Sequence, residues 1–261
     1  MHTSSRISRR RFVVESGKLL ATGLAASSIP FASAADKAEP ATLRVLFYGG
    51  AVPAVVADLK KEYRIEVMIA GAKAGKDKEA ATGLEQLDKA DLFIGTTQKR
   101  TVPSEEQLGH VRKYIEAGKP FVGFRAASHM FQNWLESDKF ILGVKYGGHH
   151  LLNKEPMLKL EIAKGQEEHP TLKGIKLPHP SSGSYFYTEL ERDVTLLLSC
   201  GLPGDMQPHT WVRENAKTES RVFYTRYDAK ELESEADVRQ IFLRGIAWVL
   251  DKDAKKFRIN G

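Results

Sequence analysis

Apolar side chains in this chain recur with two spacings. Short unbroken runs rich in β-branched and aromatic residues alternate with stretches where apolar residues return every three or four positions. These are the signatures of buried strands and of one-sided helices. Thr42 to Tyr48 predicts a strand that ends at Gly49-Gly50. Pro53 to Tyr63 follows as a helix, because Pro53 suits a first turn and Val55, Val56 and Leu59 share a face. Arg64 to Ala70 predicts a second strand, Ala90 to Gly95 a third and Pro120 to Phe124 a fourth. Before the fourth, Ser104 with Gln107 three residues on reads as a capping box. It opens a helix that turns Leu108, Val111 and Ile115 inward and stops at Gly118. Strands alternating with helices at this spacing imply a parallel sheet with crossover helices.

The second half is richer in strands. Met157 to Ala163, Val194 to Ser199, Thr210 to Val212 and Arg221 to Thr225 all fit, and a last helix spans Ala236 to Leu250. Its apolar face is Val238, Phe242, Gly245 and Trp248/Val249, with Arg239 and Arg244 outside. No Pro/Ser-rich linker or internal repeat divides the region, so residues 42–261 read as one domain behind a short polar linker, 35–41.

Residues 1–34 follow different rules. A basic start with Ser8-Arg9-Arg10-Arg11-Phe12 leads into a mildly apolar stretch, Leu19 to Phe31, and then Ala32-Ser33-Ala34. Basic, apolar and small in that order is the layout of an export signal. The paired arginines, with Ser before and Phe two residues after, resemble a bacterial twin-arginine signal, so the expected location is the periplasm or beyond. Gly23, Ser27, Ser28 and Pro30 break the apolar stretch, which is too short and weak to span a membrane.

That leader changes what the charge means. The 261 residues carry a formal +6 with pI near 9.2, which by itself suggests an acidic partner. Yet Arg6, Arg9, Arg10, Arg11 and Lys18 stand against Glu15 alone in the leader, so +4 of the +6 lies there and +2 remains. Without a dense basic stripe, nucleic acid is not an expected partner. A single cysteine, Cys200, excludes an internal disulfide framework and a four-cysteine zinc site.

Candidate chemistry gathers where strands end. In open parallel sheets, ligands sit beyond the carboxyl ends of the strands. Tyr48-Gly49-Gly50 permits close backbone approach there, though a plain tight turn explains it as well. At Gly123-Phe124-Arg125-Ala126-Ala127-Ser128-His129 a strand turns into a helix through small residues. Arg125 is suited to holding an anionic or polyhydroxylated ligand, or else to closing the elbow with a salt bridge. Ser128 and His129 are not expected to pair, because neighbouring residues on a helix diverge. A glycine-rich loop is expected at Gly147-Gly148-His149-His150. His129 with His149 or His150 are candidate acid/base groups or metal ligands, a divalent metal being the candidate cofactor. No His-x-x-x-His helix supports the metal reading.

Tyr185 and Tyr187 fall on one face if extended, which suits either a platform for sugar rings or hairpin packing. Glu189 is the nearest carboxylate for acid/base work. His209 and Trp211 share one face of another strand and are candidate substrate contacts with Tyr48, Gly49, Gly50, Arg125 and Tyr185.

The order of these motifs resembles the ThuA-like (trehalose utilisation) family, a branch of the class I glutamine amidotransferase-like fold. Val122–Phe131, Gly147-Gly148-His149-His150, Glu168–Leu172, Tyr185–Glu189, Pro208–Trp211, Arg221–Thr225 and Phe242–Trp248 carry the likeness, across nearly all of Leu43 to Leu250. The resemblance implies a flavodoxin-like α/β fold and a role in carbohydrate metabolism, on keto-sugars or glycosides. A hydrolase, lyase or isomerase is the expected enzyme class, and a non-catalytic carbohydrate- or partner-binding module is the alternative; in either case a homo-oligomer is a candidate state. Two departures stand out. Arg125 occupies the place of the amidotransferase cysteine, so that chemistry is excluded. Many relatives carry His at that position and Gly-His after the Phe-Tyr-Thr strand, where this chain has Arg226-Tyr227-Asp228.

Overall fold

A computed structural model describes residues 39–72, 81–96, 101–150, 157–181 and 184–259. Residues 1–34, expected above to be an export leader, most of the expected basic loop after Gly71 and the segment after His150 lie outside the described residues.

Strand β1 (Leu43–Tyr48) is buried along almost its whole length because alternate residues feed two cores. Leu43, Val45 and Phe47 pack on one side, and Leu46 and Tyr48 on the other. Helix α1 (Pro53–Glu62) starts with proline in its first turn and leads to β2 (Ile65–Ala72). A two-residue β3 (Ala81–Thr82) and a 3₁₀ turn (Leu84–Asp88) precede the next parallel strand. Then come β4 (Leu92–Gly95), α2 (Glu105–Glu116) and β5 (Phe121–Phe124). Half of the expected capping box is present: Ser104 accepts from the Gln107 N–H at 3.2 Å. The Gln107 side chain instead accepts from Leu84 N and donates to Glu85, tying α2 to the 3₁₀ turn.

After β5 the chain forms a 3₁₀ turn (Arg125–His129) and a π-helical turn (Asp138–Leu142). β6 (Val144–His150) pairs antiparallel with β8 (Ser184–Leu190) as a separate two-stranded sheet. The Gly147-Gly148-His149-His150 segment is therefore strand, not loop. Phe186 explains it: a Cβ at Gly147 would sit 2.2 Å from that ring, so glycine lets the ring lie on the strand. The main sheet continues with β7 (Lys159–Ile162), β9 (Val194–Leu202), β10 (Asp205–Glu214) and β11 (Arg221–Thr225). Helices α3 (Ala229–Ser234), α4 (Ala236–Leu250) and α5 (Ala254–Phe257) close the chain.

The nine-stranded order is β3-β2-β1-β4-β5-β11-β10-β9-β7 among the described residues. Five neighbours, β2-β1-β4-β5-β11, run parallel, and the hairpin β9–β10 extends them antiparallel. Helices α1 and α4 cover one face, and α2 with the Leu84–Asp88 turn covers the other. This is the expected flavodoxin-like α/β architecture. Its chain order reverses beside β1, where β2 lies to one side and β4 to the other; the carboxyl ends there form the ligand crevice of such sheets.

Glycines let side chains lie flat on the sheet beneath that crevice. Gly95 and Gly123 are paired in register, and a Cβ on either would come 2.9 Å from the Phe121 ring. No helix of the described residues is long and apolar enough to cross a membrane.

Candidate active site

Four of the expected residues meet at one place. Arg125, His129, His149 and Tyr185 line a cleft of about 390 Å³ with Thr96, Phe124, Ala126 and Asp228–Lys230. The cleft opens at the carboxyl ends of β4, β5 and β11, with the β6–β8 sheet supplying its other wall. Its volume falls in the range of small-molecule sites. A larger cleft of about 610 Å³ lies at the amino ends of β5 and β11, beside Lys119, Arg221 and Asp251.

Arg125 sits on the turn itself and takes φ 48°, a left-handed conformation that a side chain disfavours by about 1 kcal/mol or more. Tyr224 on the neighbouring β11 holds the turn: its hydroxyl donates to the Arg125 carbonyl at 2.6 Å. The guanidinium lies 5.0 Å above the Tyr185 ring. Tyr185 is only 3% exposed. Its ring is enclosed edge-on by His129 (5.6 Å), Tyr146 (5.3 Å) and His149 (5.0 Å), and its pKa is raised, first by burial. Tyr185 and Tyr187 are both buried in the hairpin packing, and Tyr185 also lines the cleft.

His129 is held more firmly than its neighbours in sequence suggested. Its ring stacks on Tyr146 at 4.2 Å and 19°. Ser128 Oγ lies 3.2 Å from its Nδ1, correcting the expectation that the two diverge. A tight 3₁₀ turn rather than an α-helix carries them, which permits the contact. Tyr146 is placed by Asp138, a buried carboxylate that accepts from Tyr146 N and Lys139 N, each at 2.6 Å. Burial raises the Asp138 pKa, and these two N–H donors pull the other way.

The remaining expected residues stand elsewhere. His150 faces away from His149, as alternation along a strand requires, and meets Asp205 at 2.7 Å. Glu189 is four residues beyond Tyr185, about 13 Å along the strand at ~3.3 Å per residue. It lies at the surface between Lys139 (2.8 Å) and Lys145 (3.6 Å), and Lys139 chiefly holds its pKa down.

His209 and Trp211 do not share a face. Register shifts at Pro208, Thr210 and Trp211 bulge β10 and break its alternation. Trp211 is fully buried, stacks on Tyr224 at 4.1 Å and donates to Leu142 O at 3.1 Å. His209 is also fully buried and bonds through both nitrogens, to Thr210 Oγ1 (2.8 Å) and Ser181 Oγ (3.0 Å). Its pKa is pushed well below 6.5, mainly by burial, so it is a neutral interior histidine. Tyr48 is buried against Phe131, bonds Thr101 through its hydroxyl, and has its pKa raised to about 12 by burial. Gly49 and Gly50 line a different cleft with Gly71, Gly83 and Glu85. Gly50, at φ 117°, needs its missing side chain there.

Among the described residues, no group of three or more His, Cys, Asp or Glu is placed to hold a metal ion. Three polar cleft residues, Thr96, Asp228 and Lys230, were not among the expected site residues. Thr96 follows β4 at the reversal of strand order, visible only once strand order is known. Asp228 and Lys230 open α3, and Asp228 forms a complete capping box with Glu231. The Asp-x-x-Glu spacing after a strand was the available signal.

The ThuA family model, described as trehalose utilisation, matches residues 47–249. Solved structures share the fold. A ThuA-like protein from Bacteroides uniformis is 19% identical with a TM-score of 0.54, over 82% of this chain and 94% of that one. A ThuA-like protein from Parabacteroides merdae is 15% identical with a TM-score of 0.55, over 82% and 91%. A cytoplasmic protein from Salmonella typhimurium is 10% identical with a TM-score of 0.53, over 79% and 99%. No curated protein gave a significant match. With most of its length matched by the family model, the chain belongs to the ThuA, or trehalose utilisation, family, which ties it to carbohydrate chemistry at the level of the family.

Proposed function

We propose that the Arg125 cleft binds a carbohydrate-derived ligand, a keto-sugar or glycoside, and that His129 and His149 move protons on it. The observation that carries this reading is the meeting of Arg125, His129 and His149 in one cleft at the carboxyl ends of the strands. An arginine fork binds hydroxyls or a carboxylate in a fixed plane. Histidines titrate near neutral pH and serve as general acid and base. Arg125 at the left-handed turn supports an amidotransferase-like ancestry and offers no nucleophile, so the reaction runs without a covalent enzyme intermediate at that residue. His129→Ala or His149→Ala is expected to lower turnover of a keto-sugar or glycoside substrate by ~10²–10⁴-fold, and Arg125→Ala to weaken calorimetric binding. Wild-type turnover that survives both histidine substitutions would sink the catalytic reading.

The arginine at the turn also favours a second reading, a module that binds sugar without converting it. Saturable heat of binding with no product after long incubation separates the two.

We further infer that residues 1–34 direct export through the twin-arginine route. The Ser8–Phe12 motif and the apolar stretch before Ala32-Ser33-Ala34 support it. Replacing Arg9 and Arg10 by lysine is expected to leave the full-length chain in the cytoplasm. Unchanged export of that variant would point to another route.

A further inference from the structure

At the end of the sheet opposite the Arg125 cleft lies another cleft, of about 490 Å³, that takes no part in the function proposed above. Register places it. Glu214 in its wall pairs with Arg221, the first residue of β11, whereas the Arg125 cleft opens beyond Thr225, the last. Its other walls are the turn between β8 and β9 (Arg192, Asp193), Thr195 of β9, the His169 turn after β7, and Trp248 of α4. The His169 ring is oriented by a hydrogen bond of fixed direction. Thr171 N donates to His169 Nδ1 at 3.2 Å, and a backbone N–H can only donate. Nδ1 therefore carries no proton. Burial lowers the His169 pKa, so the ring is neutral near pH 7 and holds its proton on Nε2. With Nδ1 turned to its own backbone, Nε2 is the ring nitrogen left for the cleft, and it is a donor.

The acids of this cleft are already engaged. Asp193 accepts from Arg213 Nε at 2.9 Å and from Ala216 N at 3.1 Å, and Glu214 pairs with Arg221 at 2.7 Å. Arg192 is exposed and has no ion pair among the described residues. Trp248 is partly buried; the Arg221 guanidinium lies 4.8 Å over its ring, and the His169 ring stands 5.9 Å away at 45°. An uncommitted guanidinium, a neutral N–H donor and an indole wall thus border one cavity. We propose that this cleft binds a carboxylate-bearing sugar, its carboxylate held by Arg192 and the His169 Nε2–H and its ring against Trp248. A guanidinium fork matches a carboxylate in both geometry and charge. The Thr195 hydroxyl, and the lone pairs of Glu214 that Arg221 leaves over, accept from sugar hydroxyls, which selects a polyhydroxylated ring over an aliphatic acid. No bond or proton moves here, so the site recognises and does not catalyse. It stands independently of the reading of the Arg125 cleft.

The test is titration of the ¹⁵N-labelled full chain with glucuronate, followed at the indole N–H signals of its three tryptophans, assigned in the wild type. The Trp248 signal is expected to shift saturably, while that of the fully buried Trp211 stays in place. Glucose, a ring without a carboxylate, and acetate, a carboxylate without a ring, are each expected to bind at least about tenfold more weakly. Arg192→Ala is expected to weaken glucuronate by about tenfold or more, the worth of a hydrogen bond between charged groups. Arg125→Ala is expected to keep the Trp248 shift, which separates this site from the Arg125 cleft. An absent or non-saturating Trp248 shift overturns the proposal. So does equal binding of glucose or acetate, an Arg192→Ala titration identical to wild type, or loss of the shift in Arg125→Ala. The wild-type titrations with the three probes decide even if a variant fails to fold.

Discussion

Single residues in this protein carry costs that only their neighbours make sense of. Arg125 is held left-handed at the turn by the Tyr224 hydroxyl. In a right-handed helix alanine outranks glycine by about 1 kcal/mol. At position 125 the order should invert, with Arg125→Gly more stable than Arg125→Ala by roughly 1 kcal/mol in urea denaturation. Equal stability would mean the turn relaxes when the side chain leaves. His209 makes a second residue-scale case. Its folded pKa lies well below 6.5, so as pH drops through 6.5 the unfolded chain takes up a proton that the folded one refuses. Stability is full above pH 6.5 and falls as the solution is acidified, by up to about 1.4 kcal/mol per pH unit. His169, also depressed by burial, adds in the same direction. His209→Gln should flatten this limb between about pH 6.5 and 5; an unchanged slope would show that His209 is protonated in the folded protein.

Elements depend on contacts from outside themselves. The π-helical turn Asp138–Leu142 has its carbonyls satisfied by a distant strand. Arg213 on β10 donates to Lys139 O, Phe140 O and Ile141 O while its Nε pairs with Asp193 at 2.9 Å. Arg213→Met takes a donor from three carbonyls and the cation from the Asp193 carboxylate, and about 3–5 kcal/mol of stability should be lost. Because Asp138 in that turn holds Tyr146, which stacks on His129, the same change should loosen the cleft. Helix α4 shows the opposite limit. A Cβ at Gly245 would lie 2.5 Å from Phe223 on β11. Helix propensity favours alanine there by ~1 kcal/mol, but overpacking against a buried ring costs ~1–3 kcal/mol. Gly245→Ala should therefore destabilise, and a rise in the urea midpoint would show that Phe223 gives way. The strands and helices themselves were legible because their apolar runs are long: β11 and α4 fall at the residues the periodicity marks. The 3₁₀ turn at Leu84–Asp88, the strand through Gly147-Gly148 and the bulge in β10 were not. Each depends on a partner outside the segment itself, Gln107, Phe186 and β9 respectively.

At the scale of the whole molecule, residues Glu39–Gly261 make one compact unit. By itself the sequence determined the α/β class, the strands whose ends carry chemistry, and the place of +4 of the net +6 charge in the first 34 residues. These follow from local periodicity and composition, which a linear chain records directly. Only the tertiary structure decided which of those chemical groups meet. His129 and His149 reached the Arg125 cleft, whereas His150, Glu189, His209 and Trp211 did not. Face and depth are set by strand order, by a bulge and by alternation against a particular neighbour. A hydrogen bond between residues a hundred positions apart, such as Tyr224 to Arg125, leaves no periodic trace in either segment.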